Sequence, residues 1–328
     1  MIAFIFPGQG SQKVGMGQAL AEAFPEARAT FVEADAAFRD GDGDGDGSQV
    51  RPGSLSRLCF EGPEDQLMLT EHTQPAILTV SVAAARVLAS HGIQPDLVAG
   101  HSLGEYSANV AAGTFGFADA VRVVRRRGRY MQEAVPVGQG AMAAILGLDA
   151  AAVRRACEEA SQGEVVSPAN INSPDQIVIA GATAAVQRAG ERAKALGAKR
   201  VVPLPVSAPF HCALMKPAEE RLAPELRALA VQDPRVPIVA NVDGKPKREA
   251  GAAIDALVGQ VSSPVLWEDI MHRLASEGVT TYVEVGPGCV LSGLARKIHK
   301  GAQVFAFAAP EELEPILANQ KYKLERGK

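Results

Sequence analysis

The first apolar run, Ile2–Phe6, is short and unbroken and stops at Pro7-Gly8. That pattern predicts a buried strand followed by a tight turn. Apolar positions then recur at helical spacing from Gly15 to Phe38 and from Thr73 to His91, the second stretch closed by Gly92. Leu97–Ala99 reads as a short strand, Ser102–Ala112 as a helix ended by Gly113, and Phe117–Met131 as another helix. From residue 138 to 206 the pattern becomes β-α-β-β-α-β, with Asp149 and Thr183 predicted as helix N-caps. This is the ferredoxin-like order. The chain then returns with a helix, a strand in "VPIVANV", a helix, and a last strand in "TYVEVGPG". The expectation is an α/β domain, residues 1–137 and 207–310, that carries a ferredoxin-like subdomain at 138–206 and a tail at 311–328.

Composition narrows the class. The chain has 328 residues, 47% hydrophobic and 21% charged, with a net charge of -4. No global basic field invites nucleic acid. The four cysteines, Cys59, Cys157, Cys212 and Cys289, show no CxxC spacing, which argues against a zinc knuckle and fits a reducing, cytoplasmic compartment. The N-terminus lacks a basic n-region and does not read as a signal peptide. The longest weakly polar stretch, residues 76–88, is interrupted by Thr79, Ser81 and Arg86 and is too short to span a bilayer, so no membrane association is expected. "DGDGDGDG", residues 40–47, alternates acids as a calcium loop does. Counted from Asp40, however, its twelfth position is Arg51 rather than the required glutamate. A solvated, flexible loop and no metal are expected there.

Candidate chemistry begins at "GHSLG", residues 100–104. Gly-x-Ser-x-Gly between a strand and a helix is the nucleophile-elbow pattern. It would present Ser102 at a helix N-terminus, with the Leu103 N–H placed to hold an oxyanion. Serine also caps helices without any chemistry. A nucleophilic serine needs a base. Of six histidines, His101 is adjacent and turned elsewhere, His91 and His299 sit beside glycines at expected surface positions, and His272 lies in a helix. His211 follows "PVSAPF" in a strand-to-helix loop, where active groups gather. On a helical wheel of "FADAVRVVRRRGRYMQ", Arg122, Arg125, Arg126 and Arg129 lie opposite an apolar face of Phe117, Ala120, Val121, Val124, Gly128 and Met131. Arg127 falls at the edge of the apolar face. An inward guanidinium must find an anion, either an internal acid or a substrate carboxylate.

Beyond this point the motifs match a family. "FPGQGSQ", "GHSLGE", "RGRYMQEAVPVGQGAMAAILG", "NINSPDQIVIAG", "HCALMKPA", "PVLW" and "EVGPGCVLSGL", in order across about residues 1–307, resemble the malonyl-CoA:acyl-carrier-protein transacylases of type II fatty-acid synthesis, which are related to polyketide synthase acyltransferase domains. The Asp-Gly repeat and the tail lie outside that pattern. The resemblance implies an α/β-hydrolase-like core with an inserted ferredoxin-like subdomain. It also implies a ping-pong transfer of malonyl from malonyl-CoA to the phosphopantetheine thiol of acyl carrier protein. By the same resemblance Ser102 is the nucleophile, His211 the base, and Arg127 the malonyl-carboxylate site. Gln9 and Leu103 are oxyanion donors, and the Gln260 carbonyl orients His211. His101 and Asn172 line the pocket, and Phe210 disfavours branched acyl groups. No metal or prosthetic group is implied, and the chain is taken as a monomer. The four surface-facing arginines, with Lys194, Lys199 and Arg200, could attract an acidic carrier protein; a solvated helix face explains the same arginines.

Two other classes remain at this stage: a serine thioesterase or esterase using the same pair, and a non-catalytic carrier-binding protein. A base that must be neutral also predicts activity falling as pH drops through the histidine range.

Overall fold

The computed structural model describes residues 1–40 and 54–326. The Asp-Gly repeat beyond Asp40 lies outside the described residues. Ten strands form two sheets: β1 (Ile2–Phe6), β2 (Leu97–Gly100), β3 (Gly140–Leu146), β4 (Val166–Ser173), β5 (Gln176–Ala182), β6 (Arg200–Pro203), β7 (Ile238–Val239), β8 (Pro246–Lys247), β9 (Thr281–Val285) and β10 (Gln303–Phe307). The larger sheet runs β10-β9-β1-β2-β7-β8, parallel except at the edge strand β8. β1 is central and buried on both faces, as an unbroken apolar run demands. Its alternate side chains split between two layers. Phe4 and Phe6 join a core with helices Pro25–Asp40, Thr70–Ser90 and Phe117–Glu133. Ala3 and Ile5 face Trp267, Ile270 and Leu291 from helices Trp267–Ser276 and Val290–Ile298. Helices thus cover both faces, giving an α/β-hydrolase-like core.

The smaller sheet, β4-β5-β3-β6, is antiparallel throughout and carries helices Ala150–Ser161 and Thr183–Ala195. It is a separate, ferredoxin-like unit with its own core around Ile145, Ile177 and Ala189. It is stitched to the larger domain where Ile171 N–H and Val265 N–H bond across, to Val265 O at 2.9 Å and Ala169 O at 2.8 Å.

Several local expectations are corrected. The single helix expected over 15–38 is two, Gln18–Ala23 and Pro25–Asp40, because Phe24 is extended and Pro25 starts the second. Asp149 caps its helix, accepting from Ala152 N–H at 2.8 Å. Thr183 does not cap: Ala182 holds that position, and the Thr183 hydroxyl donates to Gly138 O. β9 is not the last strand. β10 follows it and pairs with it in parallel at the edge of the larger sheet. The segment from residue 311 continues into helix Leu313–Arg326, whose Leu313 and Ile316 are buried in the main core.

Candidate active site

The C-terminal ends of three adjacent parallel strands converge where open α/β sheets place their sites. β1 leads into Gln9, β2 into Ser102, and β7 into Asn241. The turn after β2 is tight because both glycines are required. A Cβ on Gly100 would stand 1.9 Å from the Gly104 carbonyl carbon, and one on Gly104 would stand 2.0 Å from Phe6 O. Ser102 itself takes φ 52°, a left-handed conformation that costs a non-glycine residue energy and clusters at functional sites. The helix proper starts at Gly104, two residues later than the sequence suggested, leaving Leu103 at the N-cap.

Asn241, which sequence reasoning missed, braces this turn. Its Oδ1 accepts from Ser102 N–H at 2.7 Å and its Nδ2 donates to Gly100 O at 2.6 Å. His211 arrives from the loop after β6, also with positive φ, 60°. Its Nε2 lies 2.7 Å from Ser102 Oγ, and its Nδ1 lies 2.9 Å from the backbone carbonyl of Gln260. A carbonyl only accepts, so Nδ1 carries the proton and Nε2 is free to receive one from the hydroxyl. Burial first, then the Arg127 charge, pushes the His211 imidazole down to about 3. The expectation of a titration in the usual histidine range is therefore corrected: a ring sealed from water beside a cation stays neutral well below it.

Arg127 points inward, as the wheel implied, and is 2% exposed. Nη1 donates to Gln74 Oε1 at 2.8 Å; Nη2 donates to Ser102 Oγ at 3.1 Å and to Gln260 Oε1 at 2.8 Å. Among the described residues no carboxylate lies within ion-pair distance of it, and Nε, buried, has no acceptor. Every direct partner is neutral. Gln74 and the Gln260 side chain were not foreseen, since glutamine in an apolar helix gives no signal by itself. The other arginines are corrected too. They are half-buried rather than a bare solvated face: Arg122 pairs with Asp119, Arg126 with Glu225 and Arg129 with Glu133, while Arg125 donates to Phe38 O and lies over its ring. Val123 joins the buried face.

His101 turns away from the pair, as expected, with Nε2 2.8 Å from Asn172 Oδ1. Gln9, His101, Ser102, Leu103, Arg127, Phe210 and His211 all line one open cleft of about 1440 Å³, whereas Asn172, expected to line it, is buried behind His101 and does not. Arg125, Arg126 and Arg129 line it as well, whereas Lys194, Lys199 and Arg200 do not. The Gln9 side-chain amide donates to Thr70 Oγ1 at 3.3 Å. His272 is exposed; His299 is half-buried against the Tyr282 hydroxyl rather than at the surface. Chemically, a hydroxyl bonded to a neutral imidazole and an unsatisfied buried cation can capture an acyl group bearing a carboxylate.

The fold and this Ser-His-Arg site define an acyl-transferring serine enzyme of the α/β class. The chain matches the acyl transferase domain family over residues 3–310 and belongs to it. It is 52% identical to the malonyl CoA-acyl carrier protein transacylase of Escherichia coli (strain K12), over 96% of this chain and 98% of that one. An acyl carrier protein S-malonyltransferase from Vibrio cholerae O1 biovar eltor superposes with a TM-score of 0.90 at 45% identity, covering 96% and 99% of the two chains. A structure described as a type II PKS acyl-carrier protein in complex with its malonyl-transacylase aligns with a TM-score of 0.91 at 46% identity, covering 97% and 99%.

Proposed function

We propose that this chain moves a malonyl group from malonyl-CoA to the phosphopantetheine thiol of acyl carrier protein, through a malonyl ester on Ser102, and so feeds fatty-acid synthesis. The observation that carries the reading is the Arg127 guanidinium, buried with neutral partners only and 3.1 Å from Ser102 Oγ. A buried cation whose hydrogen-bond partners are all neutral is costly. A carboxylate on the acyl group supplies the missing charge, and plain ester hydrolysis has no use for it. The names of the similar proteins, and the carrier-protein complex among them, support donor and acceptor.

The steps follow from the hydrogen bonds. Ser102 Oγ accepts from Arg127, so its own O–H is left to donate to His211 Nε2. Oγ attacks the thioester carbonyl as that proton moves to His211. The oxyanion is held by the Leu103 N–H at the helix start and by Gln9. Collapse breaks the C–S bond, and CoA leaves with the proton from His211. The carrier thiol then gives its proton to His211, attacks the malonyl ester, and Ser102 recovers the proton as it departs. Phe210 limits the width beside the acyl group, and His101, held from behind by Asn172, forms one wall. Ser102, His211 and Arg127 supply this chemistry with no metal or prosthetic group. In this reading one chain furnishes the whole site and acts as a monomer. Among the described residues no helix is long and apolar enough to cross a membrane, and four free thiols suit a cytoplasmic setting.

The test is intact-protein and peptide mass spectrometry after mixing with malonyl-CoA, then with carrier protein. A malonyl mass on Ser102 that transfers to the carrier is expected. An unmodified Ser102 excludes the reading, and loss of the adduct to water without transfer favours a thioesterase.

A further inference from the structure

The proposed chemistry leaves one buried acid beside the nucleophile unused. Glu105, 1% exposed, lies in the first turn of helix Gly104–Ala112. Its Oε2 accepts from the Gln260 side-chain Nε2 at 2.8 Å and from the Asn241 backbone N–H at 3.1 Å. Gln260 faces the other way with Oε1, which accepts from Arg127. Glu105, Gln260 and Arg127 therefore form a line in which one carboxamide separates an anion from a cation. Asp243 and Tyr106 also act on Glu105, and His211 and His101 stand nearby around Ser102.

The site thus holds one buried positive group lining the cleft and one buried acid behind it. A substrate carboxylate docked on Arg127 adds a second negative charge, with one guanidinium to serve both. Two carboxylates sharing a buried cation do not both stay ionised. The one that is separated from the guanidinium by a carboxamide yields. Resting on the malonyl-transfer reading, we infer that Glu105 takes up a proton when a substrate carboxylate occupies Arg127, so that binding of malonyl, unlike binding of a neutral acyl group, is proton-linked. The acid is already poised for this. Burial pushes its carboxyl up to about 7, although the Gln260, Asn241 and Arg127 interactions pull it back. The proton comes from solvent on binding and returns on release. Because the bound state holds the extra proton, affinity for malonyl-CoA falls as pH rises above about 7, by up to about tenfold per pH unit.

Calorimetric titration of Ser102→Ala with malonyl-CoA near pH 8, in buffers of different ionisation enthalpy, counts the protons. The expected result is an uptake approaching about one proton per malonyl-CoA and none for acetyl-CoA. In Ser102→Ala/Glu105→Gln the uptake disappears and the affinity no longer depends on pH above 7. The same uptake in the double variant, or no uptake in Ser102→Ala, overturns the inference. If the double variant does not fold, the pH dependence of Ser102→Ala affinity decides: a fall with malonyl-CoA alone supports it, and equal behaviour of both ligands refutes it. Failure of malonyl-CoA to bind at all, with Ser102 of the native chain unmodified, overturns the underlying reading together with the inference.

Discussion

Arg127→Ala separates a dicarboxylate transferase from a general esterase on the same scaffold. The native guanidinium makes three hydrogen bonds to neutral oxygens, and one of them is on the nucleophile. With malonyl bound, the variant loses a buried ion pair, an effect of about 3–5 kcal/mol when one partner is removed. At about 1.4 kcal/mol per tenfold, malonyl kcat/KM should fall by roughly two to three and a half powers of ten. Acetyl-CoA has no carboxylate to strand. It loses only the charged hydrogen bond to Ser102 Oγ, about 1.5–3 kcal/mol, or roughly one to two powers of ten. The malonyl-to-acetyl ratio should therefore drop by about tenfold or more on those magnitudes. The assay is steady-state transfer to carrier protein from each donor, with kcat and KM resolved separately. Equal loss on both donors would refute the assignment of Arg127 to the acyl carboxylate.

Four further outcomes follow from the structure. The rate of Ser102 acylation by a neutral acyl donor should be flat between about pH 5 and 8, where free histidine titrates, because His211 is held down to about 3; a decline centred near 6.5 would contradict the burial argument. Stability has the opposite sensitivity: unfolded His211 gains a proton below about 6.5 while the folded ring does not until about 3, so stability drops as pH falls through that window, and thermal melts of His211→Gln should lose less over the same range than the native chain. Gly128→Ala would put a Cβ 2.6 Å from Thr70 O, where helices Phe117–Glu133 and Thr70–Ser90 touch; a loss of about 1–3 kcal/mol from overpacking should show in denaturant melts, and an unchanged midpoint would show that the crossing can give. Asn241→Ala strands the Ser102 N–H and the Gly100 carbonyl, so it should cost about 1–3 kcal/mol per unsatisfied buried group and lower kcat more than it raises KM, a split that a stopped-flow acylation trace would expose if it were wrong.

Much of the site was legible in the chain because its anchors carry local signatures. The elbow needs two glycines at fixed spacing, and the collisions that a Cβ would meet at Gly100 and Gly104 explain why. Arg127 was legible because a charged side chain at the edge of an apolar helical stripe has to be accounted for. The supports were not legible. Gln74, Gln260 and Asn241 act through side-chain amides brought together from three distant segments, and no local pattern marks an amide as a brace. The fold divides in the same way. The ferredoxin-like unit announced itself through alternation and an Asp149 cap. β10 did not, because its burial is incomplete along the strand and only pairing with β9 makes it one. The break at Phe24-Pro25 was readable from proline chemistry, and helical periodicity on both sides masked it.

The base and the carboxylate anchor are coupled, and this bears on selectivity. After burial, the Arg127 charge is the next cause of the low proton affinity of His211. A malonyl carboxylate cancels that charge and lets the imidazole accept the Ser102 proton more readily at the moment of attack. An acetyl group leaves the repulsion in place, so malonyl is favoured in the chemical step as well as in binding. Arg127→Ala removes the repulsion for every donor. Measured as the pH dependence of Ser102 acylation by acetyl-CoA, the acid-side inflection should move upward in the variant. It should still remain below the unperturbed histidine value of about 6.5, because burial persists. An inflection at the same pH in both proteins would mean that the two groups do not sense each other, and selectivity would then rest on binding alone.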